Sequence, residues 1–190
     1  MNLALFASGT GSNVKNIIDY FKKNKAINIV LVVSNNSSAG AFIHAKNNDI
    51  EQLLIDKNSL NDSFKVINLL QKRNIQLIVL AGFLIKLPEK LILNFKGTII
   101  NLHPSLLPKF GGKGMYGNNV HKAVLEAKET KTGITIHYVN EHYDKGAIIK
   151  QFETQISTND TIEAVASKIK ELEKLYFPIT IEKLIKAHDA

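Results

Sequence analysis

The sequence contains no cysteine. That excludes disulfides, thiolate metal ligands and a cysteine nucleophile, and it points to a cytoplasmic protein. No apolar run reaches the roughly 18 residues that a membrane span needs. The opening stretch, MNLALFASGTGSN, has no basic leader and only a short apolar run, so it reads as a first strand and not as a signal peptide. Arginine is nearly missing as well. Arg73 stands alone, and lysine supplies a formal net charge of +7. Sequence-specific nucleic-acid readers favour arginine for bidentate contacts, and the lysines here are scattered, with FKKNK at 21–25 as the one cluster. No nucleic-acid partner is expected. The charge is either compositional or suited to a phosphorylated small molecule. Linkers, repeats and low-complexity segments are lacking too. What is present is 190 residues, 45% hydrophobic and 22% charged, enough for one globular domain with a full core.

The first half alternates strand-like and helix-like runs. LALFAS (3–8) is a short apolar run ended by glycines. Val14, Ile17, Ile18 and Phe21 recur at i, i+3, i+4 and i+7, which predicts an amphipathic helix. INIVLVVS (27–34) reads as a strand buried on both faces, AGAFIHAKNN as a helix and QLLI as a short strand. NDSFKVINLLQKRN reads as a helix capped at its start, and IQLIVLA (75–81) and GTIINL as two further strands. Such alternation implies βαβ units, hence a parallel sheet with helices on both faces. In the second half, MYGNNVHKAVLEAKE carries a helix. TGITIHYVN (132–140) sets Ile134, Ile136 and Tyr138 opposite Thr135, His137 and Val139, and GAIIKQFETQI (146–156) follows a short connection. These two runs predict an antiparallel edge pair. DTIEAVASKIKELEKLYF is a long closing helix with Asp160 as its expected cap. The expected fold is a single α/β domain with a mostly parallel, Rossmann-like sheet flanked by helices and an antiparallel edge pair in the C-terminal half.

Ligands of open parallel sheets sit beyond the carboxyl ends of the strands. Three stretches are predicted at that edge. ASGTGSNVKNII joins a strand, a glycine-rich turn and a helix start, where unpaired amides and the helix dipole attract an anion. Gly9 and Gly11 let the backbone approach a ligand, and Ser12 and Asn13 add side-chain hydrogen bonds. This is neither a dinucleotide fingerprint nor a P-loop, because Val14 stands where the third glycine belongs and the GK of GGKGM is followed by Gly114. A single phosphate is the functional reading, and a turn that needs small residues for geometry is the other. GFLIKLP follows the fourth strand, and NLHPSLLP follows the fifth. The latter places Asn101 and His103 at the strand exit, with Pro104 restricting the residue before it.

An amide donor beside a titratable imidazole suits an oxyanion that develops during acyl transfer. No G-x-S-x-G surrounds Ser105, and no H-E-x-x-H or similar spacing joins the histidines, so a serine nucleophile and a metal centre are both disfavoured. A carboxylate beside the imidazole is wanted. Asp144, in HYDKGA between the two edge strands, is either that group or an ordinary turn residue. Glu173 lies at i+4 from Ile169 and i−3 from Tyr176, on or near a stripe of Ile162, Val165, Ala166, Ile169, Leu172 and Tyr176. A carboxylate there needs a partner, either flanking lysines or an amine-bearing substrate.

FASGTGSN, LAGFLIKLP, INLHPSLLPKFGGKGMYG and DKGAIIKQ, in this order, resemble the formyl-folate-dependent formyltransferases, and among them the glycinamide ribonucleotide transformylases of purine biosynthesis. The resemblance spans residues 3 to about 186. It implies an enzyme that moves a formyl group from 10-formyltetrahydrofolate, a co-substrate, to the amine of 5-phosphoribosylglycinamide, with no metal. It implies Asn101, His103 and Asp144 as the catalytic set and Gly11, Ser12 and Asn13 as the phosphate site. Glu173 would meet the substrate amine. Leu84, Ile85, Lys86 and Leu87, with Asn101, Asn140, Glu141, His142, Tyr143 and Asp144, would line the folate pocket. Thr135 and His137 would support the site. Residues 1–100 would form the phosphate-binding half of one domain and 101–190 the catalytic and folate-binding half. The related methionyl-tRNA formyltransferases and formyltetrahydrofolate hydrolases carry an extra domain for which 190 residues leave no room. A monomer or weak homodimer is expected, with no membrane partner. The rival classes are a hydrolase-like sibling and a non-catalytic nucleotide-binding or basic nucleic-acid module.

Overall fold

The computed structural model describes residues 1–157 and 159–188. The β-branched and aliphatic runs form strands wherever glycine or a polar turn interrupts them, and the runs with a 3.6-residue apolar period form helices. In chain order these are β1 (Asn2–Phe6), α1 (Ser12–Phe21), β2 (Asn28–Ser34), α2 (Gly40–Lys46), β3 (Glu51–Leu54), α3 (Lys57–Asn61), α4 (Ser63–Lys72) and β4 (Ile75–Leu80), then α5 (Glu89–Asn94), β5 (Thr98–His103), α6 (Asn118–Glu126), β6 (Lys131–Tyr138), β7 (Ile148–Gln155) and α7 (Ile162–His188). The sheet order is β3-β2-β1-β4-β5-β6-β7. The pairs from β3 to β5 are parallel, and β6 pairs with β7 antiparallel, as the sequence pattern predicts.

Two compact units divide the chain, Met1–Asn101 and Leu102–Ala190. In the first, β1 is central, and Leu3, Ala4, Leu5 and Phe6 are almost fully buried. The apolar positions expected for α1, Val14, Ile17, Ile18 and Phe21, are the ones it buries. β2 departs from the expectation of a strand buried on both faces: Asn28 is exposed, and Ile29 and Val30 are half-buried, so full burial begins at Leu31. Asp62 caps α4 by accepting from Lys65 N at 3.3 Å. α3 and α5 are short helices that periodicity does not predict, since five or six residues are too few to show a 3.6 period. Asp56 caps α3 by accepting from Ser59 N at 2.6 Å.

In the second unit, α7 packs on β6, β7 and α6. Its cap is Thr161, not Asp160: Thr161 Oγ1 accepts from Ala164 N at 3.2 Å. Asp160 instead accepts from Ser157 N at 2.9 Å and from Lys168 Nζ at 2.6 Å, which tethers the turn that precedes the helix. The buried stripe also differs from the expected one. Val165, Ile169, Phe177, Ile181 and Ile185 are buried, while Ile162, Ala166, Leu172 and Tyr176 are half-buried. The helix continues through Pro178 to His188. Among the described residues, no helix is long and apolar enough to cross a membrane.

Candidate active site

Within the first unit, parallel strands bring their carboxyl ends to one edge. β1 leaves through Ser8 and Gly9, and β4 leaves through Gly82. Ser8 joins these exits: its N–H donates to Gly82 O at 2.9 Å, and its Oγ accepts from Leu84 N at 2.9 Å. Asn101 lies at the same edge, paired in register with Leu80 at the end of β4. Gly11 opens α1 in the left-handed region, with φ 75. A Cβ on Gly11 would come within 2.5 Å of the Ala41 backbone, so both conformation and packing require glycine there. Gly9 is different. A Cβ on it would meet nothing within 4 Å, so internal packing does not explain its absence. Ser12 is exposed and Asn13 half-buried, both in the first turn of α1.

Asn101 and His103 lie two residues apart on β5, so their side chains share a face of the strand. His103 is only 3% exposed. Its Nε2 lies 2.8 Å from Phe110 O, a contact in which the carbonyl accepts, so Nε2 carries a proton. Its Nδ1 faces Asp144 Oδ2 at 3.6 Å. The Phe110 contact is a hydrogen bond, and the longer approach of Asp144 is an ion-pair distance. Asp144 Oδ2 also accepts from Gly112 N at 2.8 Å, and Asp144 Oδ1 faces His137 Nε2 at 3.7 Å. The carboxylate therefore stands between two histidines.

The two rings are not equivalent. Burial pushes the pKa of His137 below its ordinary value; the Tyr138 carbonyl and the Asp144 carboxylate oppose this, and His103 adds to the depression. His137 Nδ1 lies 2.8 Å from Tyr138 O, which fixes its tautomer as Nδ1–H when neutral. The backbone around His103 and Asp144 is held in sparsely populated conformations. Phe110 has φ 56 and Asp144 φ 53, each costing about 1–3 kcal/mol, and the one supplies an acceptor to His103 and the other the carboxylate. Gly146 permits the approach of the connecting loop, since a Cβ there would come 1.6 Å from Tyr138 O.

Residues 1–181 match the family described as formyl transferase. The chain belongs to the formyl transferase family. It is 39% identical over 189 residues to the chloroplastic phosphoribosylglycinamide formyltransferase of Vigna unguiculata, covering 96% of this chain and 60% of that protein. The Arabidopsis thaliana chloroplastic protein of the same name is 39% identical, with 93% of this chain and 63% of that one covered. The chain thus spans less than two thirds of these plant relatives. The Haemophilus influenzae phosphoribosylglycinamide formyltransferase is 34% identical and 85% covered. Among solved structures, the Bacillus halodurans phosphoribosylglycinamide formyltransferase superposes with a TM-score of 0.88 at 31% identity, covering 97% of this chain and 95% of that one.

The remaining expected positions in this formyl transferase fall as follows. Leu84 and Lys86 are exposed, Ile85 half-buried and Leu87 buried in the loop after β4. Asn140 and Glu141 are half-buried, while His142 and Tyr143 are exposed, and Asn140 Oδ1 accepts from His142 N at 3.0 Å to shape the turn ahead of Asp144. Glu173 is half-buried one turn from each of the buried Ile169 and Phe177, so it lies in line with the apolar stripe of α7. Thr135 is fully buried, and its Oγ1 donates to Ser105 O at 2.6 Å and accepts from Leu107 N at 3.0 Å. Ser105 Oγ donates to Lys109 O at 2.7 Å, a structural use of the hydroxyl. Among the described residues, no group of three or more His, Asp or Glu is arranged to hold a metal ion. Sequence reasoning missed Phe110, Gly111 and Gly112, whose backbone surrounds the His103–Asp144 pair. The paired glycines after an aromatic residue were the available signal, since such a turn admits positive φ.

Proposed function

We propose that this chain transfers the formyl group of 10-formyltetrahydrofolate to the amine of 5-phosphoribosylglycinamide, a step of purine biosynthesis. The observation that carries the reading is the His103 ring held between Phe110 O and Asp144, two residues after Asn101 on β5. The names of the relatives support the acceptor. The amine nitrogen attacks the formyl carbon, and the carbonyl oxygen becomes a tetrahedral oxyanion. Asn101 donates to that oxygen through its amide. His103 donates through Nε2, exchanging the Phe110 carbonyl for the oxyanion, while Asp144 remains on Nδ1. Collapse of the intermediate breaks the bond to the folate nitrogen, which takes a proton from His103, and the ring is reprotonated from the attacking amine. No covalent enzyme intermediate forms. Fixed donors aimed at the developing charge act without reorganisation, which is why such groups contribute strongly. The Gly9–Asn13 turn takes the ribonucleotide phosphate on the first amides of α1, and the open space at Gly9 supports this. Glu173, in line with the apolar stripe of α7, pairs with the substrate amine. Leu84–Leu87 and Asn140–Asp144 receive the folate.

The test is formyl transfer measured with 5-phosphoribosylglycinamide, water and methionyl-tRNA as competing acceptors. The expected result is transfer to the ribonucleotide amine far above the other two. Transfer to water alone would make the chain a hydrolase and sink the proposal.

A further inference from the structure

Behind the His103–Asp144 pair lies a residue to which no role has so far been given. Gln151 stands on β7 directly opposite Thr135 of β6 in the antiparallel register. Its Nε2 donates twice, to Leu107 O at 2.8 Å and to Thr135 Oγ1 at 2.9 Å. Thr135 in turn donates to Ser105 O and accepts from Leu107 N, so the hydroxyl uses its full hydrogen-bonding capacity. One side-chain pair from the edge hairpin thus fixes three backbone groups of the turn that leaves His103. The same turn, three and five residues after Leu107, presents Phe110 O to His103 and Gly112 N to Asp144. A shift at Leu107 therefore reaches both catalytic side chains through the backbone.

We propose that Gln151 is a positioning residue: with Thr135 it locks the Ser105–Leu107 turn and thereby sets the geometry of His103 and Asp144. The inference rests on the function proposed above. Gln151 touches no reacting atom. Its amide makes no bond to either histidine, and its action runs only through the turn.

Gln151→Met keeps the length and approximate volume and removes both donors. Gln151→Glu keeps the shape and turns an acceptor toward Leu107 O. Two measurements apply to each. The first is steady-state formyl transfer, where kcat should fall about 10- to 100-fold, the scale of a misplacement near 1 Å, with KM changed by less than about 3-fold. The second needs no activity: the Nε2–H of His103, bonded to Phe110 O in a buried ring, should exchange with solvent at least about 10-fold faster by NMR in the variants, since local opening sets such rates. Faster exchange with an inactive wild type would leave the positioning role standing and remove the proposed reaction. Wild-type activity with variants of unchanged or raised kcat, or with unchanged exchange, overturns the proposal. If Gln151→Met fails to fold, Gln151→Glu carries both measurements. Loss of fold in both makes Gln151 a stability residue only and also overturns it.

Discussion

Gly111 offers the sharpest test of the clamp around His103. A Cβ placed there would lie 2.5 Å from Leu107 Cδ2 and 3.2 Å from Asp144 Cβ. Carbon atoms prefer separations of about 3.5–4.0 Å. In Gly111→Ala the Leu107 methyl must therefore give way by about 1 Å and Asp144 by some tenths of an ångström. Leu107 is buried, so it has little room to yield, and overpacking of this kind costs about 1–3 kcal/mol. For a chain of this size that lowers Tm by about 2–12 °C. Part of the strain is relieved by moving the 110–112 backbone, which lengthens the Gly112 N–Asp144 bond and shifts Phe110 O. Displacements on that scale lower kcat by about 10- to 100-fold. Gly114→Ala is the control. Its φ of 87 strains any side chain, but a Cβ there meets nothing within 4 Å. It should lose about 1–3 kcal/mol of stability and keep its kcat. Thermal melts and steady-state kinetics on both variants separate steric from conformational effects. A Gly111→Ala enzyme with wild-type kcat would refute the reasoning, as would equal activity losses in the two variants.

Asn101→Ala, which removes an oxyanion donor, should lower kcat by about 10²–10³-fold with a small change in KM; an effect confined to KM would make Asn101 a binding residue. His103→Ala should lower kcat by about 10²–10⁴-fold; an active alanine variant contradicts the mechanism. Ribonucleotide should slow amide exchange at Gly11, Ser12 and Asn13, with inorganic phosphate competing weakly; binding that leaves these amides unchanged would reduce the glycines to turn geometry. His121 predicts acid sensitivity. It is 5% exposed and its Nδ1 has no partner, and burial, aided by the Lys170 charge, pushes its pKa below the ordinary value. The unfolded chain then takes up a proton first, near pH 6.5, so stability is present above that pH and is lost as pH falls toward the depressed folded value. His121→Leu should flatten the fall of Tm below about pH 6.5, with His137 keeping part of the slope; an unchanged slope would rule His121 out.

Local periodicity determined most of the fold. The alternation of β-branched runs with helical stripes implied parallel βαβ units, and the apolar positions of α1 were readable one by one because a helix facing a core must repeat its buried side chains every 3.6 residues. Asn101 and His103 were legible for a similar reason: two polar groups at the end of a buried strand are costly unless they have a use. Asp144 was not. A turn aspartate has many solvated equivalents, and only the pairing of β6 with β7 and the backbone of Gly112 bring its carboxylate to His103. The cap of α7 shows the same limit, since Asp160 and Thr161 are both competent caps and chain geometry alone chose between them. Phe110 is the extreme case. Its contribution is a main-chain carbonyl in a left-handed conformation, and no side-chain pattern encodes the direction in which a backbone oxygen points. Gln151 carries no signal of its own in the sequence, and its two bonds depend on a register that tertiary packing fixes. Sequence determines what each segment can become because those preferences are local. Which groups meet, and therefore which proton sits where, depends on contacts between residues distant in the chain.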